Sequence, residues 1–463
     1  MSLFSGARTS RSAHDLDADL EVRAPKTKPQ FRECPGCGLF QVVPAMEPGL
    51  RSNCTRCGTL LRVTRVNPLN RHLALTFAAM VLFTVVWLGM LMKVSTAGIV
   101  RETTLDSGPL ELVARGLWPL AIAVAFTTAY APMGKFFAML YVLIGLKMKY
   151  MPPRIRDVFL LSRRLNTWCM PEVLLLGVFV AYTKLGDLVT IELGPAVYAL
   201  GLLTVVWVWA EVAFDPHAVW EEIERRGQTH AAMPVGPPLA WQPGAMGCEG
   251  CGLVCVPAET DGHCPRCGSR VHERKPNSVS RTWALVLAAI VLYIPANVYP
   301  VLTVMQLGAG QPSTILGGVE ELLDSGMYPL AALVFFASIM VPLFKLLGLG
   351  SMLTATQLGR PGAGASILIR ERTVLYHIVA WIGRWSMVDI FMESLLGALV
   401  QFGRAVTIEP GVGALAFCAV VFITIFAAET FDPRLMWDAA GRNPHRAPAM
   451  AGGGALAPQA SAS

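Results

Sequence analysis

The chain has 463 residues, 54% of them hydrophobic and only 15% charged, with a mean hydropathy of +0.50. Soluble domains carry about 25% charged residues, so the composition excludes an ordinary soluble domain and defines an integral membrane protein. A formal net charge of +6 over this length is too small to point to nucleic acid.

Residues 1–30 are polar and hold no apolar h-region, so they are expected to form a disordered arm and no secretory signal. Residues 31–66 carry "CPGCG" at Cys34 and "CTRCG" at Cys54, and residues 247–274 carry "CEGCG" at Cys248 and "CPRCG" at Cys264. The ligand candidates are therefore Cys34, Cys37, Cys54 and Cys57 in one set, and Cys248, Cys251, Cys264 and Cys267 in the other. Two facing CxxC turns supply the four thiolates that tetrahedral Zn2+ takes at about 2.3 Å, which predicts two structural zinc ribbons. The Gly after each second Cys admits a left-handed turn. With all four ligands from protein, no position is open for a substrate, so catalysis at the metal is not expected. Cys255 and His263 read as bystanders, and Cys169 and Cys418 as small packing residues in membrane segments.

An internal repeat organises the remainder. "GLWPLA" at Gly116 recurs as "GMYPLA" at Gly326, and at the same offset of 210 Pro132 matches Pro342 and Lys135 matches Lys345. Further on the offset is 217: "TWCMPEV" at Thr167 pairs with "RWSMVDI" at Arg384, "VTIE" at Val189 with "VTIE" at Val406, and "FDP" at Phe214 with "FDP" at Phe431. The fold expected is an α-helical polytopic membrane protein of two tandem four-helix units, 67–220 and 275–437, each preceded by its ribbon. A linker (221–246) joins them and a disordered tail (438–463) follows. The spans fall near 72–93, 117–146, 168–184, 195–214, 282–306, 327–355, 374–399 and 411–431, each long enough to cross about 30 Å of hydrocarbon. The second and sixth are overlong, and are expected to tilt, protrude or kink at Pro132 and Pro342. Asp215 in the first "FDP" is expected to cap the helix that follows.

Loop charges set the orientation. Segment 147–167 has six Lys/Arg against one Asp, whereas 308–326 has three acids and no base. The positive-inside bias puts 147–167 and 353–373 in the cytoplasm, with the ribbons and both termini on the same side. "RIRDVFLLSRRL" (154–165) reads either as an interfacial helix or as a plain basic loop. The outer loops each carry a short amphipathic segment before the long helix.

Charges inside the spans are costly and normally find partners or water. Lys135 and Lys345 are expected to pair with Glu172 and Asp389, the carboxylates that the third span of each half offers. Ser386, Asp389 and Glu393 share one helical face, and Thr424 in the last span adds a hydroxyl. The first half is poorer, with Cys169 and Trp207 at the Ser386 and Thr424 positions. Two readings stay open: an ion pair that fixes helix register, or a polar network whose protonation at Asp389 biases two arrangements of the bundle. Glu211 reads as an interfacial charge.

The knuckles, the four-span units, "YIPANVYPV" at Tyr293, "YPLA" with Pro342 and Lys345, and "RWSMVDIF" together resemble the paraquat-inducible protein A family, from about Cys34 to Trp437. The resemblance implies a multi-pass protein of the Gram-negative inner membrane. It would partner a periplasmic mammalian-cell-entry-domain tunnel protein and pass phospholipids to or from it, with proton coupling through the intramembrane network. One departure stands out: "FTVVWLGMLMKV" in the first half replaces "YIPANVYPVLTV", so Pro295, Asn297 and Pro300 mark a helix break expected only in the second half, at a lipid pocket. No P-loop, catalytic triad, haem motif or dinucleotide loop is present, and no catalytic residue is expected. The alternatives are a non-transporting scaffold for the tunnel protein and a CxxC membrane redox protein.

Overall fold

The computed structural model describes residues 29–96, 99–185, 190–226, 244–257, 261–306, 309–358, 368–400 and 406–441. The arm up to residue 28, most of the 221–246 linker and the tail from 442 lie outside them.

The first ribbon is two antiparallel hairpins, β1 (Gln30–Glu33) with β2 (Phe40–Val43) and β3 (Arg51–Asn53) with β4 (Leu60–Val63), and each carries a CxxCG turn at its tip. Asn67 in the left-handed region (φ 49°) and Pro68 then start α1 (Pro68–Leu88); Pro suits a first turn because its missing N–H is not needed there. Next come β5 (Met92–Thr96), β6 (Ile99–Thr103), α2 (Ser107–Ala114) and the long α3 (Trp118–Gly145). Gly116 (φ 78°) closes α2 in a Schellman turn, with Leu117 N–H donating to Leu112 O at 2.9 Å. The half ends with α4 (Ile155–Leu165), α5 (Pro171–Leu185), β7 (Thr190–Leu193) and α6 (Pro195–Ala213).

A short α7 (Pro216–Arg225) follows, capped by Asp215, whose carboxylate accepts from His217 N (3.0 Å) and Ala218 N (3.4 Å). The second ribbon contains β8 (Met246–Gly247) and β9 (Val254–Cys255). The second half repeats the plan with α8 (Ser278–Val298), β10 (Leu302–Gln306), β11 (Ala309–Ser313), α9 (Ile315–Asp324), α10 (Tyr328–Leu358), α11 (Ile369–Ile382), α12 (Val388–Leu399), β12 (Val406–Pro410), α13 (Val412–Thr430) and α14 (Arg434–Ala439). Gly326 (φ 77°) repeats the Gly116 turn, with Met327 N–H to Leu322 O at 3.0 Å.

Among the described residues, seven helices are long and apolar enough to cross a membrane. Two expectations change here. The basic amphipathic segment is helical and leads into the third candidate span, Ile155–Lys184 as a whole, through a 3-10 turn (Asn166–Trp168) before Pro171 starts α5. Its counterpart is divided by a 3-10 turn at Gly383–Met387, so α11 and α12 are each too short to count as a span alone.

Both long helices contain a π-helical turn, Phe126–Tyr130 and Phe336–Met340, immediately before Pro132 and Pro342. Proline has no N–H to close the ordinary ladder and its ring crowds the carbonyl four residues back. A π-turn lets the helix absorb both faults without breaking. Each half also holds a three-stranded antiparallel sheet, β6–β5–β7 and β11–β10–β12. In β5 the alternation is visible, with Met92 and Val94 buried and Lys93 turned out opposite Glu192.

Contacts divide the chain into two compact units. One consists chiefly of Phe40–Arg71 and Ala213–Val271 with the strand before Cys34, and the other of the helices of both halves, His72–Val212 and His272 onward. Inside the larger unit the halves meet through α5 and α12. Gly177 allows this approach, since a Cβ there would sit 3.0 Å from Phe391 Cβ. Trp168 stacks on Phe422 of α13, ring centroids 5.5 Å apart.

Candidate metal centres and intramembrane polar clusters

Each ribbon gathers its four cysteines into one buried cluster, Cys34, Cys37, Cys54 and Cys57 in the first and Cys248, Cys251, Cys264 and Cys267 in the second, with all sulfurs of a set within 4.8 Å of one another. Sulfur–sulfur contacts include Cys34–Cys57 (3.4 Å), Cys248–Cys267 (3.4 Å) and Cys251–Cys264 (3.5 Å). A tetrahedral ion with bonds of about 2.3 Å holds its sulfurs roughly 3.8 Å apart, so the residues present fit a metal ion. The glycines after the second cysteines, Gly38, Gly58, Gly252 and Gly268, all lie between φ 72° and 79°. A Cβ would strain each of these turns. Cys255 is fully buried beside Cys264 but is not one of the clustered four.

The two ribbons and α7 form one structure, which the spacing of the cysteines does not reveal. Phe31 and Phe40 stack at 5.7 Å and pack with Ala245, Val254 and Val256 of the second ribbon. Glu33 accepts from Gly247 N at 2.7 Å. Arg32, almost fully buried, donates to Leu61 O at 3.1 Å, meets His217 Nε2 at 2.5 Å and bonds Gln30. Burial, with Arg62 and Arg266 nearby, brings its guanidinium down to about 10. Carboxylates of α7 balance these cations: Glu221 pairs with Arg62 (2.7 Å) and Glu224 with Arg266 (2.8 Å).

In the first half Lys135 of α3 is buried, and its partner is Glu211 of α6 rather than Glu172. It also donates to Asn166, and its ammonium lies 3.8 Å from the centroid of the Trp207 ring. The expectation failed because α6 presents Glu211 inward, where an interfacial charge was anticipated. Glu172 stands instead in the first turn of α5, near Cys169.

In the second half Lys345 is 2% exposed and donates to Thr424 Oγ1 at 3.1 Å, so these two predicted members do meet. Thr424 passes its own proton to Val421 O at 2.9 Å. Lys345 makes no ion pair with Asp389. Asp389 and Glu393 are buried on α12, and among the described residues neither Asp389 oxygen has a hydrogen-bond partner; Ser386 Oγ, also buried, has none among them either. The cation within electrostatic reach of both acids is Lys184, at the end of α5 in the other half, which also feels Glu321 of α9. Ser338, in the π-turn of α10, faces Asp389, with its proton given to Val334 O at 2.7 Å. Sequence reasoning missed Lys184, Glu321 and Ser338. Only Pro342, which brings on the π-turn, signalled any of them.

The expected helix break is absent. α8 runs through Pro295 to Val298, and Asn297 Nδ2 donates back to Tyr293 O at 2.8 Å. Pro300 lies beyond the helix end, where its carbonyl accepts from Gly413 N at 3.0 Å and joins the first and last helices of the half. At Gly413 a Cβ would lie 2.7 Å from that oxygen, so this close approach requires glycine.

Membrane-crossing helices in two similar halves, buried intramembrane charges and a pair of four-cysteine clusters that could hold metal ions define a polytopic membrane protein. The chain belongs to the paraquat-inducible protein A family, whose profile matches residues 69–224 and 279–441. It is 33% identical over 425 residues to the intermembrane transport protein PqiA of Escherichia coli K12, covering 89% of this chain and 96% of that protein. Lipophilic envelope-spanning tunnel protein A of the same organism is 29% identical over 409 residues, 88% and 91% of the two chains. A probable intermembrane transport protein of Haemophilus influenzae is 26% identical over 428 residues, 89% and 98%. No solved structure matches.

Proposed function

We propose that the protein is the inner-membrane component of an intermembrane phospholipid transport system, passing lipid to or from a periplasmic tunnel of mammalian-cell-entry domains, and that it is not an enzyme. The names of its relatives, given for intermembrane transport, support this reading. So does the loop charge, which favours cytoplasmic termini and ribbons. Eight crossings follow if the divided α11–α12 segment spans as its counterpart does, making each half a four-helix unit behind its ribbon. Zn2+ in both four-cysteine sites would be structural, leaving transport to the helices.

One observation carries the reading furthest: Asp389 and Glu393 are both buried on α12, at the contact between the halves, within reach of Lys184, which Glu321 also approaches, and with Ser338 beside Asp389. Buried carboxylates lacking hydrogen bonds are costly, and inside membranes such groups mark ion and proton paths. Gain and loss of a proton here, set against Lys184, would bias how the two halves pack and so drive the transport cycle. The test is complementation of an envelope-defective strain by Asp389→Asn and Glu393→Gln, with expression and zinc content measured alongside. Stable, zinc-loaded, inactive protein is expected. Full activity would sink the relay and leave a scaffold for the tunnel protein.

A further inference from the structure

The duplicated lysines have unlike surroundings, and the repeat shows what was changed. Lys135 is held by three side chains: Glu211 neutralises it, Asn166 accepts a hydrogen bond and the Trp207 ring lies against it. At the offset of 217 that relates these segments, the same positions around Lys345 are Gly383, Thr424 and Ala428. The second half has lost the amide, the ring and the carboxylate but kept the ammonium. A cavity of about 350 Å³ stands in their place, lined by Gly383, Thr424 and Ala428 together with Lys345. Gly383 lies against the lysine, since a Cβ there would be 3.2 Å from its Cε and 3.6 Å from Nζ. Glu429 lines the cavity as well, but is exposed and makes no ion pair with Lys345 among the described residues.

Lys345 also lines a second cavity of about 560 Å³, an apolar groove between α10 and α11. Its walls include Phe344, Leu347, Leu375 and Ile378, all exposed, so in a bilayer they face hydrocarbon. Gly348 lets α10 and α11 approach along the floor of the groove, because a Cβ there would lie 3.1 Å from Val379 Cγ2. Each volume lies within the range of small-molecule sites, about 300–1,000 Å³. The lysine stands where the two cavities meet, and among the described residues no carboxylate pairs with it.

We infer that this is a glycerophospholipid site. The lipid phosphate takes the place that Glu211 holds beside Lys135, bonded to Lys345 and Thr424, and an acyl chain lies in the groove. The inference rests on the transport reading and names the part of the lipid that is recognised. Of the two sources of such an anion, lipid phosphate and free phosphate, the adjoining apolar groove selects the lipid.

The test uses the full chain in detergent micelles with a trace of 32P-labelled phosphatidylglycerol and a photo-crosslinking residue in place of Leu347, on the groove. A second protein carries the crosslinker in place of Val205, an exposed residue of α6, as a reference for ordinary lipid contact. Lys345→Met should lower labelling at 347 by about tenfold or more, the loss of one charge-assisted hydrogen bond. Lys345→Arg should restore most of it, and labelling at 205 should not change. Ala428→Glu keeps the lysine and rebuilds the counter-charge of the first half, so it should abolish labelling at 347 even if Lys345→Met folds poorly. Excess phosphatidylethanolamine should compete, whereas diacylglycerol and inorganic phosphate should not. Equal labelling in Lys345→Met and Ala428→Glu would overturn the site. Competition by diacylglycerol would reduce it to an apolar groove, and displacement by inorganic phosphate alone would make it a free-anion site. Asp389→Asn should still be labelled, so failure of the proton relay and failure of this site are separable.

Discussion

The Lys135–Glu211 pair offers a direct test of how charge is held inside the first half. Lys135→Met keeps most of the aliphatic stem but removes the ammonium, leaving the Glu211 carboxylate facing Trp207 and Asn166. Breaking a buried pair from one side costs about 3–5 kcal/mol, because the remaining charge is uncompensated. The Lys135 side chain is 10% exposed but that of Glu211 is 33% exposed, so the surviving carboxylate regains some solvation. The cost should therefore fall at the lower end, about 3 kcal/mol. Glu211→Gln should cost more than Lys135→Met, since the ammonium it strands is the deeper partner. The double variant Lys135→Met/Glu211→Met should recover most of the loss. Reversible unfolding in mixed micelles, followed by tryptophan emission, measures all three. Single losses below about 1 kcal/mol, in the range of exposed pairs, would refute the assignment of this pair as buried and structural. So would a double variant no better than the singles.

Zinc analysis of the purified protein should find close to two ions per chain, and a strong chelator should release both while unfolding the ribbon unit, since bound metal is folding free energy in such domains. Cys34→Ser should also weaken retention at the second centre, because Phe31, Arg32 and Glu33 support both ribbons; independent loss of one ion would refute that coupling. Gly177→Leu should push α5 from α12 and lower stability by about 1–3 kcal/mol, as overpacking does. The same change at Gly201, where a Cβ meets nothing within 4 Å, should cost far less. Equal effects would refute close contact between the halves at Gly177.

Local chemistry was legible in the chain. Cysteine spacing marked both four-cysteine clusters, the offset of 210 located the two long helices, and Asp215 capped the helix it precedes. Partner choice was not legible. Lys135 pairs with a residue 76 positions away, and which acid faces it depends on how α6 is rotated against α3, a matter of packing and not of spacing. The strands of the two three-stranded sheets are five residues or shorter, too short for alternation to declare itself, although the repeated "TIE" lay on the third strand of each, at Thr190 and Thr407. Pro295 looked like a break, yet the helix passes through it, with Asn297 bonded to a carbonyl one turn back. The division of the seventh span at Gly383 had no proline to announce it.

The ribbon unit is stitched from stretches of chain that a ribosome delivers far apart in time. Arg32 and Glu33 are made before any membrane helix, but His217 and Gly247, which they bond, follow α6. The first ribbon must therefore wait, with its inner face incomplete, while the whole first half is synthesised and inserted. Completion of this domain then reports that the helices between its parts have been made, so the fold carries its own record of the order in which the protein was built.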